Sequence, residues 1–330
     1  MNAFRSPPLL VFRILADRQG VPSGLLANVG TDAPDAILAV LTAPGAAMLS
    51  REFPCLYRAG ADAELSKLLD KAGWQAMAPG SLFHVEGKLV KEFIPAGATW
   101  IEGDWCMAPP PKAIGAQAAS RALALQLVQL VAADADTHEI EALLRRDPTL
   151  SYQLLRLVNS LGMGVVRRVT SFSQALLILG RQQLRRWLNL MLFAARQGDP
   201  RSSMLLARVA VRARALELLA KARGLDKTTQ EQAFMTGMFS LLGVLFGMDL
   251  HEVLAPLSIS DAVQGALLER EGELGALLQL AETAERGDLD RVAAQLDALQ
   301  LHHADFNDTM IEANRWMLGA VRDSKGKAYA

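Results

Sequence analysis

The groups in this sequence able to do chemistry are few and scattered: five histidines, two cysteines and a run of arginines through the middle. None of His84, His138, His251, His302 and His303 is paired with a carboxylate or cysteine at ligand-like helical spacing in a buried segment. The nearest approach is His302-His303-Ala304-Asp305. Adjacent histidines on a helix point about 100° apart and chelate poorly, so this stretch reads as a solvated helix end. A glycine-rich phosphate loop, a nucleophile elbow and a cysteine-rich metal motif are all missing. Cys55 and Cys106 both lie in the first third, where pairing them would leave the rest of the chain unconstrained, so reduced thiols in a cytoplasmic setting are expected.

Arginines are the densest functional type. Arg145, Arg146, Arg156, Arg167, Arg168, Arg181, Arg185 and Arg186, with Trp187 beside them, form a basic cluster. Guanidinium groups make bidentate contacts to carboxylates and phosphates, which suits a docking surface for an acidic protein, a cyclic dinucleotide or a nucleic-acid backbone. The alternative is internal pairing with the acidic tail. Residues 145–223 carry 15 Lys/Arg against 3 Asp/Glu, and residues 224–330 carry 8 against 17, so two halves of one helical domain could face each other. No helix-turn-helix or aromatic RNA-binding motif accompanies the arginines, so nucleic acid is not an expected partner. Met235, Met238 and Met248 around Phe239 and Phe246 read as core filling, or as lining for an adaptable partner groove.

The elements that must position these residues divide the chain. At 330 residues it exceeds the usual single-domain size. Residues 1–108 mix Gly, Pro and short segments in an α/β pattern: Ala36–Leu41 and Gly87–Ile94 read as strands, or as a strand and a short helix, while Asp62–Lys71 has helical spacing with Gly73 as its stop. The triplet Pro109-Pro110-Pro111 cannot continue a helix, and residues 109–115 read as a linker. From residue 116 to 330 apolar residues recur at three- and four-residue spacing, as in an all-helical domain. Asp136 or Thr137 can cap a helix over His138–Arg146, and Asp147-Pro148 opens the next. No apolar run reaches the roughly 18 residues of a membrane span, and Met1–Phe12 lacks the features of a secretion signal, so neither a membrane nor export is expected.

Asp147–Ala195 reads DPTLSYQLLRLVNSLGMGVVRRVTSFSQALLILGRQQLRRWLNLMLFAA. In its D-P-x-L-S helix start, its L-L-R-x-V-N-S glycine turn, its S-x-x-Q-A-L-x-x-L-G segment and its L-R-R-W helix, it resembles the core of an HDOD domain, and the resemblance extends over about residues 116–290. HDOD domains are helical relatives of the metal-dependent HD phosphohydrolases. Where those enzymes read G-x-x-H-D-x-G, this chain reads Gly237-Met238-Phe239-Ser240-Leu241-Leu242-Gly243, so Ser240 and Leu241 stand at vacated metal-ligand positions. A hydroxyl and an alkyl group cannot hold a divalent cation. Trp100–Pro110 (WIEGDWCMAPP) resembles the last strand and exit of EAL phosphodiesterase domains, but 108 residues are far fewer than the roughly 250 of a complete barrel. The N-terminal domain is thus a shortened EAL remnant or an unrelated small α/β domain. The string Glu141-Ala142-Leu143 spells the EAL signature on a helix, where it reads as chance.

The resemblance implies a small α/β domain followed by an all-α HDOD domain in a non-catalytic bacterial signalling protein. The expectations are no cofactor or metal, a signalling protein as partner and a link to cyclic di-GMP. Arg145, Arg146, Arg156, Arg181, Arg185, Arg186 and Trp187 are the expected interaction surface. The alternative is a degenerate cyclic-dinucleotide phosphodiesterase, an HD-type phosphohydrolase, or a cyclic-dinucleotide receptor.

Overall fold

The computed structural model describes residues 8–30, 34–58, 63–110, 116–146, 174, 180, 182–186, 188–190, 193, 199 and 201–325. The expected helix start at Asp147-Pro148, Asn159, Ser160, and the side chains of Arg145, Arg156, Arg181 and Trp187 lie outside the described residues.

The N-terminal region is a six-stranded sheet flanked by helices. Its elements are β1 (Leu9–Ala16), β2 (Pro22–Gly30), α1 (Pro34–Thr42), α2 (Pro44–Glu52), β3 (Cys55–Tyr57), α3 (Ala63–Lys71), β4 (Gln75–Ala76), β5 (Leu82–His84) and β6 (Trp100–Glu102). The spatial order is β4-β3-β2-β1-β6-β5. β1 runs antiparallel to both its neighbours, whereas β2–β3, β3–β4 and β5–β6 pair in parallel. All strands except β1 therefore point the same way, and their C-terminal ends share one edge.

Two expectations need correction. Ala36–Leu41 is not a strand but most of α1, and Gly87–Ile94 is irregular apart from a 3-10 turn at Lys91–Phe93. The apolar run AILAVL was ambiguous because a short buried segment has no period of its own. Its position between β2 and β3, which are parallel, requires a crossover, and a helix supplies one. Within the expected Asp62–Lys71 helix, Ala63–Lys71 forms α3 as the spacing indicates, and Gly73 turns the chain out at φ +84°.

Every described element beyond residue 115 is helical: α4 (Ala116–Ala132), α5 (Thr137–Arg145), α6 (Ser202–Ala222), α7 (Lys227–Phe239), α8 (Leu242–Phe246), α9 (Leu250–Leu254), α10 (Asp261–Leu268), α11 (Gly272–Arg286), α12 (Leu289–Ala298) and α13 (His303–Lys325). The starts follow from capping chemistry. Asp136, Asp226, Asp249, Ser260 and Asp288 each accept a first-turn backbone N–H, beginning α5, α7, α9, α10 and α12. Helix α6 is buried around most of its circumference, as a central helix must be, with α7, α11 and α13 packed about it. No helix among the described residues is long and apolar enough to cross a membrane.

Sheet and helices share one apolar core, because α11 and α13 lie against β1. Asn307 on α13 is 2% exposed and closes the seam: its Oδ1 accepts from Leu10 N at 2.9 Å and its Nδ2 donates to the Pro8 carbonyl at 2.9 Å. Arg201 just before α6 and Arg208 on it tie down the segment after β6, Arg201 donating to the Ala108 carbonyl and Arg208 to the Gly103 carbonyl at 3.2 Å and Asp104 Oδ1 at 2.7 Å.

Candidate functional site

Two polar constellations stand out, one on the sheet and one among the helices.

On the sheet, side chains two residues apart share a face. The face away from the main core carries a second apolar cluster of Leu15, Leu26, Leu56 and Met77, with Leu82 and Trp100 against it. The indole of Trp100 lies over Gly24, where a Cβ would meet it at 2.8 Å. One step further toward the common C-terminal edge, each of these strands presents a polar residue on the same face. The pairs are Leu26 and Asn28, Leu56 and Arg58, Leu82 and His84, Trp100 and Glu102, and, on the antiparallel β1, Leu15 and Arg13.

Of these, Arg13, Arg58 and His84 converge on Glu102, which is 6% exposed. Arg58 Nη2 donates to both carboxylate oxygens at 2.8 and 3.0 Å, Arg13 Nη1 lies 3.5 Å away and His84 Nδ1 lies 3.7 Å away. Around one buried carboxylate stand two guanidiniums and an imidazole, each at least a third exposed on its outer side. An open cleft of about 220 Å³ adjoins them, lined by Arg13, Asn28, Tyr57 and Arg58 among others. Tyr57 donates to Asp70 Oδ1 at 2.8 Å, and its hydroxyl is pushed above its ordinary range by burial and by that carboxylate. The cleft thus offers the cations Arg13 and Arg58 to an anion. The C-terminal edge of parallel strands is where α/β folds place their ligands.

Among the helices, the stretch at the vacated metal positions breaks the backbone. α7 ends at Phe239, Ser240 and Leu241 form the corner, and α8 resumes at Leu242. Leu241 is buried. Ser240 Oγ donates to the Gly237 carbonyl at 2.7 Å and accepts from Arg212 Nη1 at 2.9 Å. The same guanidinium makes a bidentate pair with Glu285, at 2.8 and 2.7 Å, and stands 3.7 Å from Glu282. Burial alone would lower Arg212 and raise Glu285, but the pairing dominates both, so the guanidinium is held above its ordinary range and the carboxyl below it. A protein cation, 5% exposed, therefore fills this polar site. The donor set of hydroxyl, alkyl and occupied carboxylate does not fit a divalent metal, and no cluster of three or more His, Cys, Asp or Glu placed to hold one occurs among the described residues.

Of the expected arginine surface, Arg146, Arg185 and Arg186 have described side chains. Arg186 is buried, pairs with Glu231 and with Glu217 at 2.8 Å, and lies 4.2 Å over the Phe234 ring, so it belongs to the interior. Arg185 pairs with Asp134, and Arg146 is exposed. Basic residues of the middle also meet acidic residues of the tail in Arg212–Glu285, Arg214–Glu312 and Arg223–Glu273. Among the described residues, these pairs join the basic middle to the acidic tail. His302 lies just before α13 and His303 opens it, as a helix end. Both cysteines are free and buried, and burial pushes the Cys55 thiol up to about 12, so neither is an activated nucleophile.

Sequence reasoning missed Arg13, Arg58 and Glu102 altogether, and set His84 aside as lacking a carboxylate partner. The signal was present as the repeated apolar-x-polar step at five strand ends, but only sheet register shows that these ends adjoin.

The family profile described as HDOD domain matches residues 119–274. Over 195 residues, 59% of this chain and 45% of the relative, the chain is 35% identical to a Vibrio cholerae protein named "Cyclic di-GMP phosphodiesterase CdgJ". Over 178 residues, 52% of this chain and 42% of the relative, it is 29% identical to "Uncharacterized protein YuxH" of Bacillus subtilis strain 168. The chain spans less than half the length of either. A solved structure from Shewanella amazonensis SB2B aligns with 61% of this chain and 93% of its own at TM-score 0.44 and 16% identity, too slight a likeness to bear on the argument. The expectation of a non-catalytic protein that is not an enzyme is corrected by these findings, since a relative at 35% identity is named as a phosphodiesterase. Loss of ligands at Ser240 and Leu241 spoke for one site only. The fold is an α/β region followed by helices, and the match to the HDOD profile falls within the helical part.

Proposed function

We propose that this chain acts on the phosphodiester bond of a cyclic dinucleotide, cyclic di-GMP foremost, and that the strand-end cleft is where it does so. The observation behind this is the convergence of Arg13, Arg58 and His84 on Glu102 at the C-terminal edge of the sheet. The name of the Vibrio cholerae relative supports the choice of ligand. The N-terminal region is then a shortened EAL-type sheet, with residues 116–330 as the HDOD domain and residues 109–115 as the linker between them.

The chemistry follows from the groups. Arg13 and Arg58 pair with the non-bridging phosphate oxygens and offset the charge that grows on them as water attacks phosphorus. Glu102, released from Arg58 by the incoming phosphate, takes a proton from that water, and His84 returns a proton to the bridging oxygen as its bond to phosphorus breaks. The product is the linear dinucleotide. Full-length protein incubated with cyclic di-GMP should form it, and Glu102→Gln should slow formation by about 100-fold or more, the usual contribution of a general base. Wild-type protein that yields no linear product above the Glu102→Gln level defeats the reading.

A further inference from the structure

The strand-end cleft and the buried polar site of the helices lie on opposite sides of one structural feature, the C-terminal turn of α11. On the sheet side, Arg13 Nη2 donates to the Arg286 carbonyl and Asn28 Nδ2 donates to the Gly287 carbonyl at 2.9 Å. These are carbonyls left without partners where a helix ends. Gly287 takes φ +76° there, and a Cβ on it would stand 3.3 Å from Arg13 Nε, Arg13 Nη2 and Asn28 Nδ2, so the contact leaves no slack. On the helical side, the same turn carries Glu285, whose carboxylate pairs bidentately with the Arg212 that donates to Ser240.

We infer that Arg13 is a relay: it holds the end of α11 in place when the cleft is empty, and a phosphate drawing Arg13 away loosens the Glu285–Arg212–Ser240 chain. This rests on the proposed function for the identity of the ligand and adds how the helices sense it. The physical warrant is that Arg13 has two sets of acceptors, Glu102 with any anion beside it and the Arg286 carbonyl, and one guanidinium cannot satisfy a bound phosphate while keeping its full geometry on both. Coupling of this kind is reciprocal, so an intact Arg212–Glu285 pair also sets how readily Arg13 is released. Arg58 provides the internal contrast, because among the described residues its hydrogen bonds and ion pair go to Glu102 and not to α11.

The test needs no ligand. Amide hydrogen exchange is measured on the full chain as wild type, Arg13→Gln, Arg13→Lys and Arg58→Ala. Loss of the charge-assisted bond in Arg13→Gln is expected to speed exchange at Ser240, Leu241 and the last turn of α11 about tenfold, with α3 unchanged. Arg13→Lys should recover part of that protection, and Arg58→Ala should leave these amides at wild-type rates. Equal exchange at Ser240 in Arg13→Gln and Arg58→Ala overturns the relay. Because hydrolysis plays no part, the relay can fail while cyclic di-GMP is still cleaved, and it can hold where no cleavage is found.

Discussion

Replacing Glu285 with alanine should destabilise the helical region by about 3–5 kcal/mol, the range for removing one member of a buried ion pair. The size comes from what is left behind. Arg212 is 5% exposed and is held bidentately by Glu285, whereas Glu282 stands 3.7 Å away and is already engaged by Arg270 at 2.9 Å. An unpaired guanidinium in that position keeps its charge, because arginine does not deprotonate, so its desolvation is uncompensated. Urea unfolding followed by circular dichroism gives the number directly, and a loss under about 1 kcal/mol would place the pair among weak surface bridges. Removing both partners has a different expected outcome: Arg212→Met with Glu285→Leu should come out near wild type, since neither charge is stranded.

The same pair fixes a pH dependence. The folded-state Glu285 carboxyl lies below its ordinary value because Arg212, and the field of Arg208, outweigh the effect of burial. A carboxyl lowered on folding stabilises the folded state above its unfolded value of about 4.3, and that contribution drains away as pH falls from there toward the lowered folded value. Glu285→Gln should therefore flatten the acid limb of the stability curve below about pH 5 and leave the slope at neutral pH unchanged. An acid limb as steep in the variant as in wild type would assign it to other carboxyls.

Legibility in the sequence varied with how local each feature was. α3 with Gly73 behind it, and α5 with Asp136 ahead of it, followed from spacing and capping residues alone. The imbalance between a basic middle and an acidic tail left an anionic partner and internal pairing both open, and Arg223–Glu273 and Arg214–Glu312 are examples of the second. α1 was obscured because AILAVL is short and uniformly apolar, and the parallel pairing that demands a helix there is a long-range fact. The strand-end site was hidden for the same reason. β3, β5 and β6 are three residues each, too brief for alternation to register, and Arg58 lies just past its strand. Ser240 and Leu241 revealed which ligands were gone, but the cation now paired with Ser240 comes from Arg212 on a different helix. The step from one emptied metal site to a protein without catalysis was the error. It treated residues 1–108 as silent because their chemistry was spread over five strands.

Gly237→Ala should be among the most damaging single-methyl additions in the chain, at about 3 kcal/mol, the upper part of the range for overpacking. A Cβ built at Gly237 falls 2.4 Å from Ala213 Cα, 2.7 Å from Ala213 N and 3.0 Å from the Arg212 carbonyl carbon. All three are backbone atoms of α6, so no side-chain rotation relieves the clash and the two helices must separate. Separation there moves Arg212 away from Ser240, which links the overpacking to the polar site. Two comparisons make the claim sharp. Gly97→Ala, where nothing lies within 4 Å of the added carbon, should be close to neutral. Ala213→Gly should not rescue Gly237→Ala, since deleting that methyl leaves the colliding Cα and N in place; a rescue would mean that side chains, and not the backbones of α6 and α7, set how closely these helices approach.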